Sequence, residues 1–262
     1  MPESQGDTGK LMISIIIGAY NEERRIPGSL RKIHDYVAAR ETPCEVIVVD
    51  DGSTDRTSAV AGELSPLFEN LRVIRYERNR GKGYALRTGV LASQGNVVLV
   101  SDADLSTPIE ELDTLLPFLA ENSIVIGSRA LAQSRIIVRQ PWWRMGMGRI
   151  FNRVVKLLIL DEFNDTQCGF KLFNGDTARN IFREARIDRF AYDVEILALA
   201  RKKGYRVAEV PIRWLNDAES KVSPIRDSLK MLIDLVRIRL SVGSPAVQKS
   251  VAVEHSLHGN HE

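Results

Sequence analysis

Four short apolar runs, separated by helical patterns, constrain the fold of this 262-residue chain most strongly. They predict strands at residues 12–17, 45–49, 71–76 and 97–100. The run at 97–100 is unbroken and rich in β-branched residues, which is typical of a strand buried on both faces of a parallel sheet. Because helices alternate with these strands, we predict an α/β fold with a mainly parallel sheet and right-handed crossovers.

Polar residues follow each predicted strand at its carboxyl end. They are Tyr20, Glu22, Asp50, Asp51, Lys82, Asp102 and Asp104. Ligands of open α/β sheets bind in the crevice outside that edge, so we expect these side chains to lie close together. Such a group of aromatic, acidic and basic side chains suits a nucleotide. A base can stack on Tyr20, Asp51 can accept a hydrogen bond from a ring N–H of the base, and Lys82 can bind phosphate. Taken singly, Asp51 is equally typical of a helix cap, and Lys82 of a solvated surface charge.

Two carboxylates separated by one small residue, Asp102 and Asp104, follow the most apolar strand. Together they can bind an oxygen-loving divalent cation, Mg²⁺ or Mn²⁺, which in turn can hold a diphosphate that the acids alone would repel. The pair by itself is a weak signal, since acids are common in turns and helix caps. The next residues, Thr107, Pro108 and Glu110, predict a capping box at the start of the following helix.

Composition limits the classes of partner. The net charge of +2 provides no global positive field, so no nucleic-acid partner is predicted. Cys44 and Cys168 match neither a metal-site spacing nor a disulfide framework, which favours a reducing, cytoplasmic setting. The first ten residues do not resemble a secretory signal, and no apolar run reaches the roughly 18 residues of a spanning helix. A membrane contact is therefore expected to be peripheral.

The chain is predicted to form one domain with short appendages. We assign residues 1–10 to a flexible N-terminus, 11–222 to the α/β domain, 223–240 to an amphipathic helix and 241–262 to a disordered tail. Within the second half of the domain we predict a strand at 124–126, a loop at 134–143, a helix at 145–160, a strand at 171–173, a helix at 191–203 and a strand at 206–210.

Two of these helices, 145–160 and 223–240, combine an apolar face with a basic face. The basic residues are Arg149, Arg153 and Lys156 on the first helix, and Arg226, Lys230 and Arg237 on the second. Such helices suit a surface of anionic lipid head groups, and they equally suit packing on the sheet with a solvated basic face. Trp142 and Trp143 add to the membrane interpretation, because tryptophan favours membrane interfaces.

Several ordered motifs give the chain a family resemblance from about residue 13 to residue 240. They lie at 14–23, 48–55, 79–83, 101–104, 127–129, 165–173, 192–195 and 209–214. The first four resemble the successive signatures of family 2 glycosyltransferases, which have the Rossmann-like GT-A fold. The later four resemble the branch that contains dolichyl-phosphate glucosyl- and mannosyltransferases, and the glucosyl type more closely. Many motifs in a fixed order make chance agreement improbable.

The resemblance implies a role for each matching position. The predicted donor-binding residues are Gly18, Tyr20, Glu22, Asp51, Lys82, Asp102, Ala103, Arg129 and Lys221. Asp102 and Asp104 are the implied ligands of Mg²⁺ or Mn²⁺, and Arg129 is expected near the donor or acceptor phosphates. Two positions depart from the family pattern. Gly18 stands where proline is usual, and Ser106 stands where mannosyltransferases have glutamine, which speaks against a mannosyl assignment.

The implied reaction is displacement at the anomeric carbon of a sugar, with a nucleoside diphosphate as leaving group. The predicted catalytic residues are Asp104, Arg129 and Asp193. A hydroxyl acceptor needs a base, whereas a lipid phosphate is already an anion and needs only to be aimed. Asp193 is therefore a candidate for positioning the acceptor or for acting as base. The alternative for Asp193 is a buried structural pair with a nearby arginine.

Three hypotheses follow for the function. The first is an inverting glycosyltransferase that transfers a hexose, glucose from UDP-glucose, to a polyprenyl or dolichyl phosphate at the cytoplasmic face of a membrane. The second is a family 2 transferase that uses GDP-mannose or a saccharide hydroxyl acceptor. The third, from another class, is a nucleotide-sugar-binding protein without turnover. The donor base, the sugar and the oligomeric state stay open at this point.

Overall fold

A computed structural model describes residues 11–138, 142–215, 224–242 and 251–252. Its strands within these ranges are β1 (Ile13–Ala19), β2 (Cys44–Asp50), β3 (Leu71–Arg75), β4 (Val97–Asp102), β5 (Ile124–Ser128), β6 (Arg135–Val138), β7 (Lys171–Asn174), β8 (Val207–Pro211), β9 (Arg213–Leu215) and β10 (Val251–Ala252). Its α-helices are α1 (Ile26–Ala38), α2 (Thr57–Glu63), α3 (Lys82–Ala92), α4 (Glu111–Leu115), α5 (Trp142–Leu158), α6 (Gly175–Glu184), α7 (Tyr192–Lys202) and α8 (Pro224–Val242). Short 3₁₀ helices cover Ser65–Leu67 and Leu116–Ala120.

The described strands form one eight-stranded sheet in the order β10-β8-β5-β7-β4-β1-β2-β3, and β6 pairs separately with β9. Neighbouring strands are parallel except at β7, which runs antiparallel between β4 and β5. In the register of the sheet, Lys171 lies beside Val100 of β4 and Ile126 of β5. The reversal therefore brings the first residue of β7, and the loop before it, to the edge where β4 and β5 end.

Helices cover both faces of the sheet. The buried apolar residues of α1, α2 and α4 belong to the core on one face, and those of α3, α5, α6, α7 and α8 belong to the core on the other. Strands β1, β2 and β4 are almost entirely buried, as the apolar runs predict. The predicted α/β fold with a mainly parallel sheet is confirmed. No helix in the described ranges combines the length and the apolar composition that crossing a bilayer requires.

Several element boundaries differ from the prediction. Residues 134–143 are not all loop, because Arg135–Val138 forms β6 against β9. Helix α6 follows β7 immediately and was absent from the predicted elements. The capping box is wrong: α4 begins at Glu111 without a side-chain cap, and the Glu111 carboxylate accepts a hydrogen bond from Arg213 of β9.

The C-terminal assignments are described only in part. Helix α8 runs to Val242, two residues beyond the predicted end. Residues 251–252 form a two-residue strand beside β8, whereas the sequence predicted no structure there. The remainder of the predicted tail, and the predicted flexible N-terminus at 1–10, lie outside the described residues.

One glycine lets α3 pack closely on the sheet. A Cβ on Gly89 would collide with Ile16 and would lie 3.0 Å from the Val49 side chain.

We expect Gly89→Ala to lower the free energy of unfolding by about 1–3 kcal/mol, because the rigid strands β1 and β2 cannot move away. Gly28→Ala in α1 is the matched control, since nothing lies within 4 Å of its added Cβ, and it should raise stability by up to about 1 kcal/mol. Urea unfolding measures both, and equal effects would contradict the packing argument.

Candidate active site

The carboxyl end of β4 places Asp102 at the centre of the site. Asp102 lies opposite Gly18 of β1 in the parallel register. Its Oδ1 accepts a hydrogen bond from Lys82 Nζ at 2.5 Å, and both side chains are partly exposed. Gly169, in the loop before β7, leaves the space that the Asp102 carboxylate occupies, because a Cβ at that position would collide with both carboxylate oxygens.

The turn after β4 carries Asp104. Its Oδ1 accepts a hydrogen bond from the Ser106 backbone N–H at 2.9 Å, and Arg25 Nη1 lies 4.0 Å from its Oδ2. The buried Ala103 between the two acids is fixed from α1, because Ser29 Oγ donates to its carbonyl at 2.7 Å. Burial first, and the Asp102 charge second, raise the pKa of Asp104 above its ordinary value. The turn is thus held rigidly with two carboxylates close together.

The donor set at this turn fits a divalent cation that binds together with a substrate. In the part of the chain that the structure describes, no group of three or more His, Cys, Asp or Glu side chains could hold a metal by itself. Mg²⁺ and related ions commonly take one or two protein carboxylates and complete their shell with substrate phosphates and water. Burial opposes ionisation of Asp102, but Lys82 outweighs it and holds the pKa of that carboxyl below its usual range. Asp102 is therefore charged at neutral pH and suited to sharing a cation with Asp104.

Residues after β1 form the next part of the rim. Tyr20 is 38% exposed, as a stacking platform for a base requires. Asn21 adopts a left-handed backbone conformation with φ of 55°, and its N–H donates to Ser53 Oγ. Both oxygens of the Glu22 carboxylate accept hydrogen bonds from Arg25, at 2.6 Å each. Glu22 therefore orients Arg25, which faces Asp104.

Asp51, after β2, holds the loop that leads to Lys82. Its carboxylate accepts hydrogen bonds from the backbone N–H groups of Arg80 and Gly81 at 2.8 Å, and from Asn79 Nδ2 at 2.9 Å. Burial raises the pKa of Asp51, and the two backbone N–H groups oppose that shift. The geometry thus gives Asp51 a positioning role, and contact with a nucleobase stays a prediction.

Arg129 follows β5 and is locked by an acid from the loop before β7. Asp165 accepts hydrogen bonds from Arg129 Nε at 2.7 Å, Nη2 at 2.9 Å and the backbone N–H at 3.0 Å. Glu209 of β8 holds Asp165 in turn, because its Oε1 accepts the Asp165 N–H at 2.8 Å. The guanidinium carbon of Arg129 lies 5.5 Å from the ring centroid of Trp214. Arg129 is therefore a fixed, partly exposed cation at the same edge of the sheet.

Asp193 lies beneath the site and is paired with a lysine. Lys171 is fully buried, and its Nζ donates hydrogen bonds to Asp193 and to the Cys168 carbonyl. Asp193 is itself only 4% exposed. Burial opposes the charge of Lys82, but Asp102 and then Asp193 outweigh it and raise the pKa of Lys82. This geometry does not suit Asp193 as a general base, and the pair involves a lysine where the sequence suggested an arginine.

The structure thus gathers most of the predicted residues at one edge of the sheet. Gly18, Tyr20, Glu22, Asp51, Lys82, Asp102, Ala103, Asp104 and Arg129 all follow or end strands β1 to β5, and Lys221 lies outside the described residues. Sequence reasoning missed three residues: Arg25, Gly169 and Lys171. The signal for Lys171 was available, because a lysine inside a short apolar strand must find a buried partner.

Comparison with known proteins bears on this arrangement. Residues 14–182 match the family model described as Glycosyl transferase family 2. The chain is 35% identical over 251 residues to a dolichyl-phosphate beta-glucosyltransferase of Dictyostelium discoideum, covering 90% of this chain and 76% of that protein. It is also 35% identical over 248 residues to the human dolichyl-phosphate beta-glucosyltransferase, covering 89% and 76% respectively.

Solved structures share the fold at lower identity. Mannosyl-3-phosphoglycerate synthase from Rubrobacter xylanophilus superposes with a TM-score of 0.65 at 20% identity, over 88% of this chain and 74% of the other. Glucosyl-3-phosphoglycerate synthase from Mycobacterium tuberculosis, in complex with Mn²⁺, UDP and phosphoglyceric acid, gives a TM-score of 0.64 at 20% identity, over 91% and 80%. These likenesses establish the GT-A fold for the chain.

The Arg129–Asp165 pair gives a stability prediction that depends on pH. Arg129 outweighs burial and holds the pKa of Asp165 below its ordinary value, which is about 3.9 in an unfolded chain. Because the pKa of Asp165 is lower in the folded protein than in the unfolded chain, its charge stabilises the fold. This stabilisation is complete above the pKa of the unfolded chain and is lost as the pH falls through the pKa of the folded protein. We expect Asp165→Asn to lower the free energy of unfolding at pH 7 by about 3 kcal/mol, because Arg129 loses its charged partner.

The difference between Asp165→Asn and wild type should begin to shrink below about pH 4, where Asp165 becomes protonated in the unfolded chain, and should be lost as the pH falls through the lower pKa of the folded state. Denaturant unfolding at several pH values measures it. Asp176→Asn is the matched control, because the Asp176 side chain is 95% exposed and its surface ion pair should contribute less than about 1 kcal/mol. A loss that does not change with pH would contradict the assignment.

Proposed function

The chain belongs to glycosyltransferase family 2, and from this premise we propose that it transfers glucose from UDP-glucose to a polyprenyl phosphate such as dolichyl phosphate, with inversion at the anomeric carbon. The single observation that carries the proposal is the cluster of Asp102, Asp104 and Lys82 at the carboxyl edge of β4, with Arg129 at the end of β5. Carboxylates for a cation beside basic groups for phosphate suit a nucleotide-sugar donor. The names of the two relatives supply the glucose and the lipid phosphate.

Charge explains how these residues would act. Asp102 and Asp104 would hold Mg²⁺ or Mn²⁺, which when bound supplies positive charge toward the leaving diphosphate. Lys82 and Arg129 add fixed cations at the same edge, so negative charge that develops on phosphate oxygens meets groups already oriented. Their orientation comes from Asp51, which anchors the loop before Lys82, and from Asp165, which clamps Arg129.

The choice of acceptor follows from the burial of Asp193, the residue that the sequence offered as a base. A lipid monophosphate is an anion at neutral pH and can attack without losing a proton. Asp193 is buried and paired with Lys171, so it supports the site from below and does not reach an acceptor. A phosphate acceptor therefore agrees with this site better than a saccharide hydroxyl. We assign Tyr20, Gly18, Glu22 and Lys221 to the donor side, with Tyr20 as the platform for uracil.

Two helices offer a surface for the membrane that holds such an acceptor. Helices α5 and α8 pack against each other, and their exposed apolar residues form what we name the α5/α8 surface. It comprises Ile150, Leu157, Leu158, Leu232, Ile233, Val236 and Leu240. The exposed basic residues Arg153, Arg237 and Arg239 lie on the same two helices and complement anionic head groups. We propose that this surface rests on the cytoplasmic face of a membrane.

The transfer reaction is tested directly with purified protein, Mn²⁺ or Mg²⁺, labelled UDP-glucose and a polyprenyl phosphate in detergent or vesicles. We expect label in an acid-labile lipid product with UDP-glucose and far less with GDP-mannose. Asp104→Asn should lower transfer by roughly 10²–10³-fold, because one carboxylate of the cation site becomes neutral. Asp35→Asn is the matched control, because the Asp35 side chain is 80% exposed and lies near the C-terminal end of α1, beyond Ser29, which contacts the turn after β4.

Other outcomes would decide against the proposal. Label in a water-soluble glycan would indicate a saccharide acceptor, and donor binding without transfer would indicate a non-catalytic binding protein. Full activity of Asp104→Asn, with the fold intact by circular dichroism, would contradict the role of the carboxylate pair.

Sedimentation with vesicles tests the α5/α8 surface. Leu157 is 84% exposed and Leu240 80% exposed, so changing both to serine should hardly affect the fold. We expect this double variant to bind vesicles containing anionic lipid at least roughly tenfold more weakly, since two side chains lose their apolar burial in the bilayer. Leu67→Ser, at a 47% exposed residue between α2 and β3, should bind like wild type. Equal binding of all three proteins would contradict the assignment of this surface.

A further inference from the structure

The loop between α6 and α7, residues 185–191, packs directly against the start of α3. The Asp188 carbonyl accepts a hydrogen bond from the Tyr84 N–H at 3.1 Å. The Asp188 carboxylate accepts a second one, from Arg87 Nη2 at 2.6 Å, and the Ala185 carbonyl accepts one from Arg87 Nη1 at 2.9 Å. This loop therefore touches the helix whose first residue is Lys82.

Two glycines make the contact close. A Cβ on Gly81 would collide with the Asp188 carbonyl, and a Cβ on Gly83 would collide with the Ile187 carbonyl. These glycines flank Lys82 in the sequence, so the backbone around Lys82 rests on the 185–191 loop. A displacement of the loop toward α3 would push on the backbone that carries Lys82, the partner of Asp102, and a displacement away would break the Tyr84 hydrogen bond.

The same loop is tied to α8 on its other side. Arg189 Nη2 lies 3.1 Å from Asp234 Oδ1 and 3.3 Å from Oδ2, and Nε lies 3.4 Å from Oδ2. Asp234 is 1% exposed, and its Oδ1 also accepts a hydrogen bond from Arg237 Nη1 at 3.2 Å, so a buried carboxylate of α8 holds Arg189 of the loop. Leu232, Ile233 and Val236, which belong to the α5/α8 surface, surround Asp234 along the helix and are exposed.

We propose that Arg189 is a positioning residue for Lys82, and that its bridge to Asp234 makes the donor site depend on where α8 lies. The path runs from α8 through Asp234 and Arg189 to the 185–191 loop, and from there to the backbone at Gly81 and Gly83. Glu195 keeps the loop rigid enough to transmit the contact, because its carboxylate accepts the backbone N–H groups of Arg186 and Ile187. This inference deepens the proposed function and rests on it only for the identity of the donor.

Hydrogen exchange tests the proposal without any substrate. The Tyr84 amide is the reporter, because it donates to the loop itself. In Arg189→Met, we expect this amide to exchange roughly tenfold faster than in wild type, while the amides of β1 keep their protection. Arg189→Lys, which keeps the charge, should restore part of the protection. Arg186→Met is the matched control, because Arg186 lies in the same loop with an exposed side chain, and it should leave Tyr84 unchanged.

Kinetics provide the second measurement. In Arg189→Met the KM for the donor should rise by roughly tenfold, with kcat at saturating donor and the KM for lipid phosphate changed less than about twofold. Wild-type protection of Tyr84 in Arg189→Met would overturn the proposal. So would an equal acceleration of Tyr84 and the β1 amides, which would mean a loss of global stability alone. If wild type transfers no glucose, the proposed function fails, and the exchange result still decides on Arg189.

Discussion

The contact between Lys82 and Asp102 is the interaction on which the rest of the site depends. It joins the first residue of α3 to the last residue of β4, so two elements that are consecutive in the chain close on each other across the edge of the sheet. Three other parts of the molecule keep this contact in place. Asp51 holds the loop before Lys82, Gly169 leaves space for Asp102, and the buried Lys171–Asp193 pair lies below. A dication at Asp102 and Asp104 would therefore bind among charged groups whose positions the protein already fixes.

Several carboxylates around the site accept hydrogen bonds from backbone N–H groups. Asp51, Asp165, Glu195 and Glu209 each accept backbone N–H groups from a loop that carries or supports a basic residue. Loops at a ligand-binding edge have few partners of their own, and each buried N–H needs an acceptor. The acids therefore order the loops, and the ordered loops fix Lys82 and Arg129. Asp104 differs, because its Oδ1 stabilises only its own turn.

The sequence was sufficient to predict the sheet and the edge at which the site lies, because buried parallel strands and the polar residues after them follow from local pattern. It was not sufficient for features that depend on distant contacts. The pairing of Arg135–Val138 with Arg213–Leu215 joins segments nearly 80 residues apart, so no local pattern marked it as a strand. The partners of Asp51 and Asp193 depend in the same way on how loops from other parts of the chain approach. Lys171 was recognisable as unusual, but its partner was visible only in three dimensions.

The reversed strand β7 also affects how this domain can be assembled. Because β7 separates β4 from β5, the strands that precede it in the chain cannot complete the sheet among themselves. As the polypeptide leaves the ribosome, β4 keeps one edge of unpaired N–H and C=O groups until Lys171–Asn174 has been synthesised. The chain must therefore be made as far as Asn174 before the middle of the sheet can close. Strand pairing over such long separations in the chain is slow. A nascent chain halted before β7 would therefore expose an unpaired strand edge that can aggregate with other chains.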